Sequence, residues 1–416
     1  MLNYIWLGLM AIAIVVGGAS GKISQVTKAA FDYSGTAVEI ALGLVGIMAL
    51  WLGIMRIAEE AGMVRALARL VRPIARRLFP DVPPDHPAMG AMVLNIAANW
   101  LGLGNAATPL GLKAMEELQK LNPEKETATN AMVMFLALNT ASITLIPATM
   151  IAIRAQLGSS NPTEIIGTTI FASTCATVAA VLATRFLEYA QLQASERKSR
   201  LLGLGKAILT IFALVLLLAI LKWAGVLSLL FGWLTADLFR RVISFVSDWA
   251  IPSLLFAIPV AAAARRVRVY EVFVEGAKEG FQIAIRIIPF LVAILVAIGM
   301  FRGSGAMDLF VRIVSPLTNL IGMPAEVLPA ALMRPLSGSG TLGIVTELMK
   351  THGPDSFIGR LASTIYGCTE TTFYVIAVYF GSIQVKKTRH AVPAGLVGDC
   401  AGILGALFIC RVMFGK

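Results

Sequence analysis

Two short polar runs interrupt long apolar stretches and hold the candidate chemistry of this chain: Asn139-Thr140-Ala141-Ser142-Ile143-Thr144, with Pro147 just beyond, and Cys368-Thr369-Glu370-Thr371-Thr372. Hydroxyls, an amide and a carboxylate inside apolar spans cost free energy, about 3 kcal/mol for a central charge, so such groups face a cavity or a partner. Glu370 is the leading candidate: it can pair with Arg334, coordinate a cation or carry a proton. Ahead of each run lies a glycine-rich stretch, Gly102-Leu103-Gly104-Asn105-Ala106-Ala107-Thr108-Pro109-Leu110-Gly111 and Leu332-Met333-Arg334-Pro335-Leu336-Ser337-Gly338-Ser339-Gly340-Thr341-Leu342-Gly343. Proline and glycine strip helical hydrogen bonds from the backbone, which is tolerated at membrane depth only around a protein-enclosed cavity. Each stretch therefore reads as the unwound tip of a helical hairpin. Such tips offer donors and acceptors beside half-helix N-termini, suited to a polar or anionic solute or an ion. The other reading of these small residues is close helix approach. The predicted binding residues are Asn105, Thr108, Asn139, Thr140, Arg334, Ser337, Ser339, Thr341, Thr369, Glu370 and Thr371, with Asn95 and Asp399 behind them. Asn95 and Asn99, one helical turn apart, line the first hairpin or link helices. Glu39 and Arg286 are relay candidates, and His86, His352 and His390 read as solvated. No nucleophile–base set, phosphate loop or metal spacing is present, so the chain is not read as an enzyme.

The elements that must position these groups are membrane helices. Of 416 residues, 57% are hydrophobic and 14% charged, and the mean hydropathy is +0.79, against about 25% charged residues in a soluble domain. The formal charge of +11 sits in short loop runs rather than in a nucleic-acid-binding face. The cysteines Cys175, Cys368, Cys400 and Cys410 fall in apolar segments as small core residues. Stretches able to span about 30 Å occur at 2–20, 34–57, 131–154, 164–188, 205–223, 243–264, 283–301, 360–383 and 391–413. The first is read as a retained helix, because it lacks a basic leader and a cleavage site. Arginine and lysine runs follow every second span, which places those loops and the N-terminus in the cytoplasm. Arg240 and Arg241 fall on the other side, and 226–242 is read as interfacial. Residues 61–73 match 304–316 without a gap, and each copy comprises a span, a lateral helix, a hairpin, a polar-centred span and a last span. The copies are separated by an odd number of spans and so are inverted. The fold expected is all-α and polytopic: an inverted repeat with two re-entrant helical hairpins and broken transmembrane helices, the architecture of secondary transporters.

Gly102 to Gln119, with Phe79 to Met92, resembles spore maturation protein A. Arg334 to Gly343, Gly353-Pro354-Asp355-Ser356 and Thr369-Glu370-Thr371-Thr372-Phe373-Tyr374-Val375 resemble spore maturation protein B. By this resemblance residues 1–195 form an A-like repeat, 196–242 a joining segment and 243–416 a B-like repeat, each repeat with a nucleoside-recognition or gate domain. The resemblance implies the core of concentrative nucleoside transporters, in which two such units hold solute and a coupling Na+ or H+. The first copy has Ala141 or Thr140 where the second has Glu370. Expected, then, is a multi-pass protein of the cell inner membrane, with a small polar solute or ion and the bilayer as partners, a homo-oligomeric state, no nucleic acid, and no cofactor beyond a coupling Na+ or H+. The alternatives are a membrane scaffold or receptor serving spore maturation, and a passive channel.

Overall fold

Apolar residues at helical spacing, with small residues wherever two backbones meet, give sixteen α-helices among the residues that the computed structural model describes, 2–100, 104–190 and 236–415. In chain order they are α1 (Leu2–Ala19), α2 (Ile23–Glu60), α3 (Met63–Leu78), α4 (Pro87–Trp100), α5 (Gly104–Leu121), α6 (Asn130–Thr140), α7 (Ala148–Gln156), α8 (Ile165–Ala190), α9 (Ala236–Ala264), α10 (Val269–Gly303), α11 (Ala306–Ile321), α12 (Leu328–Met333), α13 (Gly338–His352), α14 (Phe357–Cys368), α15 (Thr372–Ser382) and α16 (Ala391–Phe414). α2, α8, α10 and α16 are each long and apolar enough to cross a membrane unaided. The protein is a multi-pass membrane protein. The expected span at 205–223 and most of the joining segment lie outside the described residues.

α2 and α10 run antiparallel and touch along most of their length. Gly276 and Gly280 of α10 lie against the carbonyls of Leu52 and Met48, while Gly299 and Gly303 meet Tyr33 and Ala29. A side chain at these positions would push the backbones apart, which is why small residues are used where membrane helices approach. Gly280→Val is expected to lower stability by about 1–3 kcal/mol through overpacking, read as a lower melting temperature of the detergent-solubilised protein. Gly35→Ala, which meets nothing within 4 Å, should instead raise it slightly, since alanine is the better helix former.

A second antiparallel pair, α8 and α16, uses the same device. Gly398, Gly402 and Gly405 of α16, on one helical face, lie over Ala180, Ala176 and Cys175 of α8. Against this pair stand two helices that do not run through. The predicted span at 131–154 is α6 and α7, separated by Ala141–Pro147, and the span at 360–383 is α14 and α15, separated by Thr369–Thr371.

The two broken helices are also antiparallel, because their outer ends are tied crosswise. The loop before α6 meets the loop after α15, with Ala128 N–H donating to the Lys387 carbonyl at 3.0 Å and Lys386 N–H to the Glu126 carbonyl at 2.9 Å. At the opposite end, Ser159 and Ser160 after α7 hydrogen-bond Asp355 before α14 at 2.5 and 2.8 Å.

The aligned segments Ala61–Pro73 and Ser304–Pro316 behave alike. Gly62 (φ 70°) and Gly305 (φ 84°) both take the left-handed conformation and both start a 16-residue helix, α3 and α11. α11 then bends by 104° into the short arm that ends at Met333.

The second hairpin differs from expectation in where it breaks. α13 begins at Gly338 and runs through Gly340 and Gly343, so the interruption is confined to Arg334–Ser337. The glycines serve close approach: Gly338 to the Thr371 hydroxyl and Gly343 to Ile294. The cysteines also divide: Cys368 and Cys410 are buried, whereas Cys400 faces outward from α16.

Candidate functional site

Breaking a helix frees backbone groups that must find partners, and in hydrocarbon those partners come from protein. At the first break, the hydroxyl of Thr177 donates to the Ala141 carbonyl, and the Thr144 N–H donates to Ser173 Oγ at 3.2 Å. Ser173 and Thr177 are one turn apart on α8, so a helix that spans unbroken supplies what the broken one lacks. At the second break, the Arg334 guanidinium donates to the Thr369 carbonyl and the Phe373 N–H to the Pro335 carbonyl at 3.0 Å. Thr372 Oγ1 donates to Asp399 Oδ2 at 2.7 Å. The tip of the second hairpin is thereby built into the second break.

The breaks meet each other. The Glu370 N–H donates to the Thr140 carbonyl at 2.7 Å, joining the middle of one broken helix to the middle of the other. Beside this junction lies a cavity of about 170 Å³ whose polar walls include Asn99, Ser142, Thr144, Arg334, Tyr366 and Glu370. Arg334 is buried, with its guanidinium 4.5 Å above the Tyr366 ring and 3.6 Å from Glu370 Oε2. The pair is unequal: the Arg334 side chain is 4% exposed and that of Glu370 58%. Glu370 can therefore swing away at little cost, leaving a fixed cation at the cavity wall.

The first hairpin, α4 and α5, reaches the same place by a chain of amides. Asn99 Nδ2 donates to Asn139 Oδ1 at 2.9 Å, and the Tyr379 hydroxyl of α15 donates to the same oxygen at 3.2 Å. Asn95 Nδ2 donates to the Ala107 carbonyl at 2.7 Å and reaches the Tyr379 hydroxyl at 3.4 Å. Gly111 leaves the room that Tyr379 Oη occupies.

Of the predicted residues, Asn139, Thr140, Arg334, Thr369 and Glu370 thus come together, and Thr371 stands at the N-cap position of α15 with no capping hydrogen bond from its side chain. Asn95 and Asp399 are buried one contact behind, each with its Oδ1 unpartnered among the described residues. Ser337, Ser339 and Thr341 are engaged locally. Ser337 Oγ caps α13 by accepting from the Gly340 N–H at 3.0 Å and lies 3.4 Å from Ser339 Oγ, and Thr341 Oγ1 donates to the Ser337 carbonyl at 2.7 Å. Thr108 is half-buried in α5, and the side chains of Asn105 and Arg286 lie outside the described residues. Glu39 is exposed on α2. His390, read as solvated, is instead buried before α16, where burial and the neighbouring Arg389 push its imidazole down to about 4. Sequence reasoning missed Tyr366 and Tyr379, since a tyrosine in an apolar span looks like any aromatic core residue. It also missed the tie at Asp355, which draws on loops almost 200 residues apart.

The sequence matches the family described as Gate, nucleoside recognition, over residues 41–157 and 284–386. It is 44% identical over 189 residues to spore maturation protein A of Bacillus subtilis (strain 168), covering 45% of this chain and 96% of that protein. It is 47% identical over 176 residues to spore maturation protein B of the same organism, covering 42% of this chain and 99% of that protein. No solved structure matches.

Proposed function

The chain belongs to the Gate, nucleoside recognition, family, and from that premise we propose that it is a secondary transporter whose solute enters the cavity where the two broken helices cross. The observation that carries this reading is the Glu370 N–H to Thr140 carbonyl contact at 2.7 Å, with a buried cation and an exposed carboxylate beside it. Unwound backbone at membrane depth is costly unless it lines a site. In this reading the antiparallel broken helices are the centres of two inverted repeats, 1–195 and 243–416, as in transporters that bind at a repeat interface. Arg334 and Glu370 face a small polar or anionic solute, with Asn99, Ser142 and Thr144 on the other walls and Asn139, Thr140 and Thr369 holding the junction beside it. Ser337, Ser339 and Thr341 hold the hairpin tip in place and Thr371 lies beside the cavity, with Thr108 and Asn105 at the first tip. Glu370 takes up a coupling Na+ or H+. The α2–α10 pair is the scaffold, and the protein sits in the cell inner membrane with its N-terminus in the cytoplasm.

The experiment is uptake into proteoliposomes across a panel of nucleosides and small anions, under Na+ or H+ gradients. Saturable, gradient-dependent uptake that Glu370→Gln removes while leaving the fold intact is expected. No flux under any gradient, or flux without saturation, would sink the reading, the latter in favour of a channel. The second reading, a scaffold or receptor in spore maturation, is favoured by the names of the two relatives and by the local engagement of Ser337 and Thr341. Cysteines introduced by Ser337→Cys and Asn105→Cys discriminate: labelling that changes with the gradient supports transport, and constant labelling supports the scaffold.

A further inference from the structure

α3 and α11 hold equivalent places after a left-handed glycine at the end of a long helix, yet they differ in one respect. α3 carries Arg65, Arg69, Arg72, Arg76 and Arg77, whereas α11 carries Arg312 as its single basic residue. The position itself therefore does not call for arginines, and the reason for them lies in what surrounds α3.

Three stripes run along α3. Val64, Ala68, Val71 and Ala75 are buried and share a core with Met89, Met92 and Val93 of α4. Arg65, Arg69, Arg72 and Arg76 follow the same spacing, shifted by one residue and so turned by roughly 100°, and all four are exposed. On the opposite flank Leu70 and Ile74 are 70% and 51% exposed. At 16 residues the helix is about 24 Å long, too short and too charged to cross about 30 Å of hydrocarbon. With one side on protein, one flank apolar and the other cationic, the geometry is that of a helix lying in the membrane interface.

The helix is also pinned at both ends. Arg265 donates to the Ala61 carbonyl before it, and Arg185 Nη2 to the Leu78 carbonyl at its end at 2.6 Å. Among the described residues Arg72 alone of the five has a carboxylate partner, Asp85 at 3.6 Å. Three guanidinium groups of the stripe, those of Arg65, Arg69 and Arg76, are left on one ridge with no counter-charge among the described residues.

We propose that α3 is a docking strip for the phosphate groups of anionic phospholipids in the surrounding bilayer, held by Arg65, Arg69 and Arg76, with the acyl chains lying along Leu70 and Ile74. Planar guanidinium forks match phosphate oxygens in bidentate geometry. Because the buried stripe rests on α4, the first arm of the first hairpin, the lipid contact fixes the hairpin from its outer side.

The test uses the full chain in nanodiscs of phosphatidylcholine alone or with added phosphatidylglycerol, read by melting temperature and by native mass spectrometry of retained lipid. Wild type should melt higher with phosphatidylglycerol and retain it, less so as salt is raised. The triple variant Arg65→Gln/Arg69→Gln/Arg76→Gln should retain it on the order of 100-fold more weakly, about fivefold per charge. It should melt like wild type in phosphatidylcholine alone. The triple variant with lysine at the same positions keeps most of the retention, and it decides the matter with the salt titration of wild type if the glutamine variant does not fold. Equal retention by wild type and the glutamine variant, or no salt dependence, overturns the proposal. So does stabilisation by heparin without any effect of phosphatidylglycerol, which would make the strip a site for a soluble polyanion.

Discussion

Replacing Arg154 by methionine is expected to destabilise the protein by about 3–5 kcal/mol, the largest single-residue effect outside the cavity. Arg154 is fully buried in the last turn of α7, at the centre of a network drawn from both halves of the chain. Its Nη1 donates to the Pro354 carbonyl at 2.5 Å, and its Nη2 reaches Glu164 at 2.5 Å, Asp355 at 2.9 Å and Ser159 at 3.0 Å. Arg360 closes the ring on Glu164 at 2.7 Å. Taking out the central cation leaves Asp355 without a cationic partner among the described residues and Glu164 with Arg360 alone, and losing one partner of a buried pair costs more than the worth of the pair itself.

The measurement is thermal unfolding in detergent. A loss under about 1 kcal/mol would mean that water replaces the guanidinium and that the tie is not a central one. The pH dependence follows from Asp355. Burial alone would raise its pKa, but hydrogen bonds from the Ser159 hydroxyl and from the Ser160 N–H and hydroxyl, together with Arg154, hold it down to about 2 against the usual 3.8. A carboxyl depressed in the folded state contributes stability that is fully present above its unfolded value and is lost as pH falls through the folded one. Wild type should therefore show no Asp355-dependent change in stability from neutrality down to about pH 4 and lose this contribution between there and about pH 2. In Asp355→Asn that acid-dependent step should be absent.

Arg334→Gln should abolish gradient-driven uptake, by at least about 100-fold, and also cost about 2 kcal/mol of stability from lost charge-assisted hydrogen bonding. Both effects come from one guanidinium: it holds the Thr369 carbonyl at the second break, stacks over Tyr366 at 4.5 Å and faces the cavity beside Glu370. Glu370→Gln should separate them. With 58% of its side chain in the open, Glu370 adds little to stability, so its loss should reduce uptake while leaving the melting temperature within a degree or two. Arg334→Lys keeps the charge without the planar fork and should fall between wild type and Arg334→Gln in uptake. If Arg334→Gln and wild type transport alike, the cavity at the crossing is not the solute site.

How much of this was legible beforehand depends on range. The gapless match of 61–73 with 304–316 placed Gly62 and Gly305 at equivalent starts of α3 and α11, and both take positive φ. The polar runs at 139–144 and 368–372, legible as groups that must face a cavity or a partner, coincide with the two helix breaks. The glycines of the second hairpin misled: they read as unwinding, whereas Gly338 and Gly340 lie inside the first turn of α13 and admit a neighbouring helix.

The sequence alone determined that the chain crosses the membrane many times and that polar runs sit in the middle of two of its spans. Both follow from a local property, the cost of polar and charged groups in hydrocarbon. Only the tertiary structure decided that the breaks meet at Glu370 and Thr140, that Tyr379 joins Asn139 to the first hairpin, and that Arg154 binds loops from both halves. Such pairings join residues some 200 or more positions apart. No periodicity along one chain records them, since they are set by which helices lie side by side and which small residues let them touch.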